Sequence, residues 1–205
     1  MLLLGLTGSI GMGKSETAKM FQREGVPLHD ADAEVHKLQA PGGPALPPIE
    51  AAFPGVVVDG VLDRQELGKR VFGKPDELRK LERIIHPMVG KVQRQFLMQA
   101  SARRLPMVVL DIPLLFETGG DADVDMTIVV TAPEETQRAR VMERPGMTAE
   151  KFEHLKSQQM PDAEKRAKAD VVIKTTSLEA ARASVHDVLG TIRGRLADAG
   201  NRSRH

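Results

Sequence analysis

Apolar residues along this chain alternate between short continuous runs and stripes with helical spacing. Five runs lack polar alternation, which is typical of strands covered by helices on both faces of a sheet. They predict strands at Leu2–Thr7, Val26–His29, Met107–Ile112, Met126–Thr131 and Val171–Ile173. Helical spacing predicts helices at Ser15–Arg23, Pro133–Arg144 and about Leu178–Leu196. This alternation of strands and helices predicts a three-layer α/β fold with a mostly parallel sheet.

The connection between the second and third predicted strands is far longer than a parallel crossover, which needs about a dozen residues. It contains PGGPALPP, residues 41–48, which predicts a loop, and helical patterns at Arg64–Phe72, Pro75–Ile85 and Met88–Arg103. We place a helix break at His86–Pro87, because the residue before a proline avoids helical backbone angles. The segment predicts a small helical insert over one edge of the sheet.

Composition narrows the class of protein. The chain has 205 residues, 41% hydrophobic and 28% charged, which is ordinary for one globular core with an insert. A formal net charge of +1 gives no reason to expect nucleic-acid binding, and the absence of cysteine excludes disulfides and thiolate metal sites. The opening MLLLGL is too short for a signal peptide, and no apolar run has the length of a membrane span. A cytoplasmic protein is expected.

The stretch GSIGMGKS, residues 8–15, lies between the first predicted strand and the first predicted helix. Gly8, Gly13, Lys14 and Ser15 fit the G-x-x-x-x-G-K-[ST] pattern of a phosphate-binding loop. Glycines let backbone N–H groups turn towards a phosphate, the lysine reaches the β- and γ-phosphates, and the serine hydroxyl binds Mg²⁺. The helix that follows adds its positive N-terminal end.

Carboxylates follow two of the predicted strands. Asp30 and Asp32 come directly after the second strand and Asp111 ends the third, so all three are expected at the ligand-binding edge of the sheet. A carboxylate beside the γ-phosphate can accept the proton of an attacking hydroxyl, and one at a strand end can contact Mg²⁺, often through water. The alternatives are helix capping for Asp30 and Asp32 and a solvated strand end for Asp111.

Several stretches together resemble the dephospho-coenzyme A kinase family over about residues 4–173. They are GLTGSIGMGKS, DADAEVHKL, IIHPMV, DIPLLFETG, RVMERPGMTAEKF and QMPDAEKRAKADVVI. The resemblance implies a P-loop kinase fold with a five-stranded parallel sheet, a helical substrate-binding insert and a helical lid. The implied core is about 1–35, 105–139 and 169–198, the insert about 36–104 and the lid about 140–168.

The resemblance also implies roles for individual residues, with ATP and Mg²⁺ as cofactors. The implied catalytic residues are Asp32 as base, Lys14 and Arg140. Nucleotide contacts are implied for Gly8, Gly11, Met12, Gly13, Lys14, Ser15, Glu16, Arg140 and Arg144. Substrate contacts are implied for Asp32, His86, Pro87, Leu114, Leu115 and Glu117, and metal contacts for Ser15 and Asp111.

This sequence departs from the family pattern at two places, and three of the implied residues have simpler interpretations. Glu16 stands where the family usually has threonine, and IKTTS, residues 173–177, replaces a more usual I-D-N-x-G. Arg140 and Arg144, four residues apart, share one face of the predicted helix, which also fits an ordinary solvated face. His86 also fits a helix-end residue.

The expected function is phosphorylation of the ribose 3′-hydroxyl of dephospho-coenzyme A by ATP, the last step of coenzyme A biosynthesis. The partner is then a small molecule rather than nucleic acid or a membrane, and the sequence predicts no oligomeric state. One alternative is a P-loop kinase for a nucleoside or nucleotide. Another is a nucleotide-dependent switch without transfer, although no N-K-x-D stretch supports a GTPase.

Overall fold

The computed structural model describes the backbone of residues 1–202 and the side chains of residues 1–198. It contains strands β1 (Leu2–Thr7), β2 (Leu28–Asp30), β3 (Val57–Val58), β4 (Val61–Leu62), β5 (Met107–Asp111), β6 (Met126–Thr131) and β7 (Val171–Lys174). The helices are α1 (Lys14–Arg23), α2 (Ala31–Leu38), α3 (Leu46–Ala52), α4 (Arg64–Val71), α5 (Pro75–Ala102), α6 (Glu134–Met142), α7 (Ala149–Ser157), α8 (Asp162–Lys168) and α9 (Leu178–Arg202). Two compact units result, one formed by residues 1–29 with those from 103 onward, the other by residues 30–102.

The first unit is built on a five-stranded sheet with the order β2-β5-β1-β6-β7. The β1–β5, β1–β6 and β6–β7 pairs are parallel. The central strands are buried, as their uninterrupted apolar runs predicted, and α1 and α9 add side chains such as Phe21 and Leu189 to the same core. The predicted three-layer α/β fold is confirmed, and it brings the loops after β1, β5 and β6 to one edge of the sheet.

The predicted strand bounds hold for β1 and β6, whereas β2 begins two residues later and ends one residue later than predicted. The Val26 N–H donates to the carbonyl of Phe21, so Val26 still belongs to the turn that ends α1. Pro27 has no N–H for a ladder, and only its carbonyl pairs, accepting from Val109. The strand therefore begins at Leu28 and ends at Asp30.

The second unit is a helical unit with its own apolar core. Helix α5 packs against α2, α3 and α4. Fully buried side chains include Ile49 and Val56, and Leu67 and Ile85 are nearly so.

Helix α5 is continuous through Pro87, so the predicted break at His86–Pro87 is wrong. A proline inside a helix removes one hydrogen bond and costs about 3 kcal/mol. On both sides of it apolar residues pack in this unit: Ile85 is buried in the core, and Ile84, Met88 and Val89 are partly buried against it. Full burial of one such side chain contributes about 1.5–3 kcal/mol, so the combined burial of these four offsets the cost of the lost bond.

Two further elements of the second unit depart from the predictions. Helix α3 begins at Leu46, inside the stretch predicted as a loop, because prolines are tolerated in a first helical turn. The β3–β4 hairpin was not predicted. Its tip is Asp59–Gly60, both with positive φ (50° and 75°), and Asp-Gly between apolar residues is a recognised hairpin signal in sequence.

Candidate active site

The GSIGMGKS loop leaves the carboxyl end of β1 and enters α1, as predicted. Gly11 and Gly13 have φ of 77° and 90°, in the left-handed region that favours glycine. A Cβ atom on Gly13 would lie 2.9 Å from Thr175 Oγ1, and one on Gly11 would lie 2.9 Å from the carbonyl oxygen of Gln137. Backbone angle and close packing therefore both require glycine at these two positions.

Buried side chains hold the backbone of this loop from outside. Gln137 Nε2 donates to the Ile10 carbonyl at 2.7 Å, and Thr175 Oγ1 donates to the Met12 carbonyl at 2.7 Å. The N–H of Ile10 donates to Gln159 Oε1 at 2.9 Å. Gln137 is 2% exposed and Thr175 is 4% exposed, so these bonds are sheltered from water. The side chains of Gln137 and Thr175 thus hold the Ile10 and Met12 carbonyls, which supports the shape of the loop.

Helix α1 begins with backbone N–H groups that no side chain caps. Its N-cap is Gly13, which makes no side-chain capping bond. The N–H groups of a first helical turn have no acceptor within the helix, so those of Lys14 and Ser15 are available to an anion. Glu16 is directed away from the loop and pairs with Lys19 at 2.6 Å. Its negative charge is thus compensated on the exposed face of α1.

Lys14 pairs with Asp111, the last residue of β5. The Asp111 side chain is 2% exposed and that of Lys14 is 16% exposed, so the carboxylate is buried and the lysine keeps a small exposed part. The strand end predicted to carry a functional carboxylate thus carries a buried one, paired with the lysine of the phosphate loop. Its contact with Mg²⁺ stays a prediction. Asp111 is not a solvated strand end.

Comparisons with known proteins agree with this geometry. The family model described as CoaE, dephospho-CoA kinase, matches residues 2–180. The dephospho-CoA kinase of Mesorhizobium japonicum is 55% identical over 195 residues, covering 95% of this chain and 98% of its own. The chain belongs to the dephospho-CoA kinase family. A crystal structure of TT1252 from Thermus thermophilus is 34% identical with a TM-score of 0.80, covering 93% of this chain and 96% of its own. The dephospho-CoA kinase structure from Campylobacter jejuni is 26% identical with a TM-score of 0.62 and the same coverage.

Kinases of this family use ATP with Mg²⁺, and the loop offers suitable oxygen ligands for the ion. The Ser15 side chain is exposed in the first turn of α1, and the Asp111 carboxylate lies at the end of β5. Mg²⁺ prefers hard oxygen ligands and is usually held by one or two protein groups together with phosphates and water. The described residues contain no cluster of three or more acidic, histidine or cysteine side chains that would form a complete metal cage. This donor set fits a magnesium ion bound jointly with a nucleotide.

The two arginines predicted to share a helix face are separated in this chain. Helix α6 ends at Met142, so Arg144 lies beyond it in an exposed turn, and the shared face is wrong. A proline at position 145 favours this early end, because the residue before a proline avoids helical angles. Arg140 stays on the helix and donates to Thr175 Oγ1 at 3.1 Å and to the Thr175 carbonyl at 2.6 Å. It is thereby connected to the phosphate loop through Thr175.

The loop after β5 carries three predicted substrate contacts in different environments. Leu114 is 40% exposed, whereas Leu115 is fully buried and supports the loop from within. Glu117 Oε1 accepts hydrogen bonds from the Met160 N–H and pairs with Lys165 Nζ, both at 2.8 Å. Burial raises the pKa of Glu117, but the bonds from Lys165 and Met160 lower it more, and the net pKa lies below its usual value.

Sequence reasoning missed four residues that shape this site: Gln137, Gln159, Lys165 and Thr175. Lys165 is fully buried although its helix is rich in charge, which made an ordinary solvated surface the simplest interpretation. Thr175 belongs to the KTTS departure from the family pattern and supplies the contacts to Met12 and Arg140 itself. Their partners are distant in sequence, and no local spacing pattern reveals them.

A cavity of about 540 Å³ opens at the carboxyl ends of β6 and β7, beside Met12 of the phosphate loop. Its polar lining includes Glu134, Lys156, Arg166 and Lys174. Mixed charges of this kind offer both donors and acceptors to a polar ligand. No pattern in the sequence predicts this space, because its lining comes from five separate segments.

The remaining predicted residues lie in the helical unit. Asp30 is the N-cap of α2, and its side chain accepts the Ala33 N–H at 2.9 Å, so the capping interpretation is confirmed for this residue. Asp32 is exposed in the first turn of the same helix. His86 and Pro87 are exposed on α5, so His86 is not a helix-end residue. No helix within the described part of the chain has the length and apolar character to cross a membrane.

Proposed function

We propose that the phosphate loop of this chain binds Mg²⁺-ATP and that the Asp32 carboxylate accepts the proton of the ribose 3′-hydroxyl of dephospho-coenzyme A. The observation that carries the proposal is a phosphate loop whose Ile10 and Met12 carbonyls are bonded to side chains outside it. The loop leads into an uncapped helix N-terminus and carries the partly exposed Lys14. The 3′ oxygen forms a bond to the γ-phosphorus as the bond to the β,γ-bridging oxygen breaks. ADP leaves with that electron pair, and the product is coenzyme A.

Asp32 is the better candidate of the two neighbouring carboxylates for the base. The Asp30 carboxylate already accepts the Ala33 N–H as a helix cap, whereas Asp32 is exposed in the first turn of α2, directly after β2. The carboxyl ends of strands in such a sheet are where ligands bind. A carboxylate presented there can accept a hydroxyl proton as the phosphoryl group is transferred.

Charge stabilisation is assigned to residues around the loop. Lys14 and the backbone N–H groups of the first turn of α1 contact the β- and γ-phosphates. Ser15 and Asp111 would hold Mg²⁺, which would neutralise phosphate charge. Arg140, fixed beside Thr175, stabilises the transferring group, and Arg144 contacts nucleotide from the predicted lid at 140–168. Positioning and charge then supply most of the rate acceleration.

The acceptor is assigned to the predicted insert, about residues 36–104, and to the loop after β5. His86 and Pro87 present an exposed surface on α5, and Leu114 presents an apolar one. Leu115 and Glu117 shape the second of these surfaces through their buried contacts. We propose a cytoplasmic enzyme with a small-molecule partner.

The direct test is ADP release from Mg-ATP with and without dephospho-coenzyme A, followed by mass spectrometry of the product. Strong stimulation and a product heavier by one phosphoryl group are expected. Stimulation by a nucleoside or nucleotide instead would select the other small-molecule kinase hypothesis. Slow hydrolysis that no acceptor stimulates would leave a nucleotide-dependent switch.

The role of the base is tested with Asp32→Asn. We expect kcat to fall about 10²–10⁴-fold, the usual contribution of a general base. The matched control is Asp30→Asn, because asparagine caps helices as well as aspartate does and should keep both fold and turnover. Turnover near wild type in Asp32→Asn, or a large loss only in Asp30→Asn, would remove Asp32 from the base role.

A further inference from the structure

A short segment that runs from just after α7 into the first turn of α8 is bonded to two separate loops of the site. The segment, residues 159–165, is called the tie segment here. At its start, Gln159 Oε1 accepts the Ile10 N–H of the phosphate loop at 2.9 Å. The next residue, Met160, donates its N–H to Glu117 Oε1 in the loop after β5, at 2.8 Å. Two consecutive residues thus face two different loops.

The far end of the tie segment is anchored in the same loop after β5. Lys165 is fully buried and pairs with Glu117 at 2.8 Å. Its ammonium group also donates to the Pro113 carbonyl at 3.2 Å. That carbonyl accepts a second hydrogen bond, at 3.0 Å, from the hydroxyl of Thr7, the last residue of β1. Lys165 therefore holds the start of this loop against the strand that leads into the phosphate loop.

These bonds close a ring. Hydrogen bonds connect Ile10 to Gln159 and Lys165 to the Pro113 carbonyl, which also accepts from Thr7. The chain from Thr7 to Ile10 closes the ring. Buried polar networks of this kind keep a few discrete arrangements, because a broken member leaves an unsatisfied group out of water. A shift of the phosphate loop at Ile10 cannot occur without moving the tie segment or losing a bond.

We infer that Gln159 and Lys165 are positioning residues that transmit nucleotide binding at the phosphate loop to the loop after β5. Neither is assigned as a catalytic residue, since Gln159 Oε1 and Lys165 Nζ are bonded to protein groups. Binding of phosphate to the loop fixes Ile10, Ile10 fixes Gln159, and the tie segment then orders residues 113–120. The transmission rests on the nucleotide binding in the proposed function and not on the transfer step, whereas the preparation of the acceptor site rests on both.

Hydrogen–deuterium exchange with a non-hydrolysable ATP analogue and Mg²⁺ tests the transmission without any acceptor. The reporters are the N–H groups of Thr118, Gly119 and Gly120, which bond to carbonyls within the turn 114–120. In the wild-type chain, saturating analogue should slow their exchange at least about fivefold, the lower end of ordinary coupling between sites. Gln159→Leu, which lacks an acceptor for the Ile10 N–H, should lose this protection although the analogue still binds.

Three further variants decide between transmission and a general loss of structure. Gln158→Leu is the matched control, because Gln158 is exposed and its side chain has one described hydrogen bond, to His154, so protection should remain. Gln159→Glu keeps an oxygen acceptor and should retain protection at saturating analogue. The double variant Lys165→Met with Glu117→Leu replaces the ion pair by two apolar side chains, and its reporters should lose the protection by the analogue.

The inference is overturned if the wild-type reporters gain no protection from the analogue. It is equally overturned if Gln159→Leu keeps the full protection, because the loop after β5 would then respond by another route. Failure of the proposed function is a separate result, seen as an absence of dephospho-coenzyme A phosphorylation by a chain whose reporters still respond to the nucleotide.

Discussion

Lys14–Asp111 and Lys165–Glu117 are both pairs of a lysine and a carboxylate, but they differ in which partner is the more buried. In the first, the carboxylate is 2% exposed and the lysine 16% exposed. In the second, the lysine is fully buried and the carboxylate is 17% exposed. An ammonium group that reaches solvent can contact a ligand phosphate, whereas a buried one is committed to its protein partners. The first arrangement suits chemistry and the second suits the positioning of loops.

The two pairs also differ in their surroundings. Lys14 projects from the first turn of α1, where uncapped N–H groups already favour an anion. Lys165 is enclosed by a carboxylate and the Pro113 carbonyl. The same residue type therefore serves two purposes, decided by the groups around it and not by its own chemistry.

Replacing the two lysines one at a time and measuring turnover tests whether they have different roles. We expect Lys14→Met to lower kcat about 10²–10³-fold, as loss of a group that stabilises transition-state charge does. Lys165→Met should lower kcat less than about tenfold at saturating substrates, because its effect passes through loop position. Steady-state kinetics of the two purified variants make this check. Equal losses of kcat would place both lysines in the same role.

The sequence predicted the first pair far better than the second. Lys14 belongs to a motif whose loop and helix are specified within eight adjacent residues, so its place followed from local chemistry alone. The bond between Ile10 and Gln159 joins residues 149 apart, and that between Glu117 and Met160 joins residues 43 apart. Such contacts result from tertiary packing, and no short-range pattern in the sequence predicts them.

The same distinction explains the fold predictions. The β1 and β6 bounds were correct because buried parallel strands have a strong local pattern. Continuity of α5 through Pro87 was missed because the local preference at a proline opposes the packing of Ile85 and Met88 on the same core. Tertiary burial decided the outcome there, and the Asp59–Gly60 hairpin was instead a local signal that had been overlooked.

The buried Lys165–Glu117 pair should also contribute to the free energy of unfolding. Lys165→Met leaves the Glu117 carboxylate without its cation, and removal of one partner of a buried pair costs about 3–5 kcal/mol. We expect about 3 kcal/mol of lost unfolding free energy, the low end, because Glu117 keeps some contact with water. Adding Glu117→Leu should restore all but about 1 kcal/mol, since an apolar pair of similar volume carries no buried charge. Urea unfolding measures both values.

A double variant that remains as unstable as Lys165→Met would contradict this account. It would mean that the hydrogen bond from the Met160 N–H, which a leucine side chain at position 117 cannot accept, outweighs the charge. Glu117→Gln separates the two effects, because glutamine keeps an oxygen for Met160 while it removes the negative charge.

The smallest expected effect is a pH dependence that belongs to the second pair. Burial raises the pKa of Glu117, but the bonds from Lys165 and Met160 lower it more, so in the folded chain this pKa lies below its ordinary value of 4.5. On acidification the unfolded chain therefore takes up this proton first. The stabilisation is complete well above pH 4.5 and is lost as the pH falls towards the folded-state pKa.

One group contributes at most one proton to the slope, which is about 1.4 kcal/mol per pH unit. Urea unfolding between about pH 6 and pH 3, which brackets the ordinary carboxyl pKa, should thus show a steeper acid loss for the wild-type chain than for Lys165→Met with Glu117→Leu. Parallel curves would show that Glu117 carries the same proton affinity folded and unfolded. In that case the contrast between the two pairs would rest on geometry alone, and Lys165 would hold its loop through the Pro113 carbonyl instead of through charge.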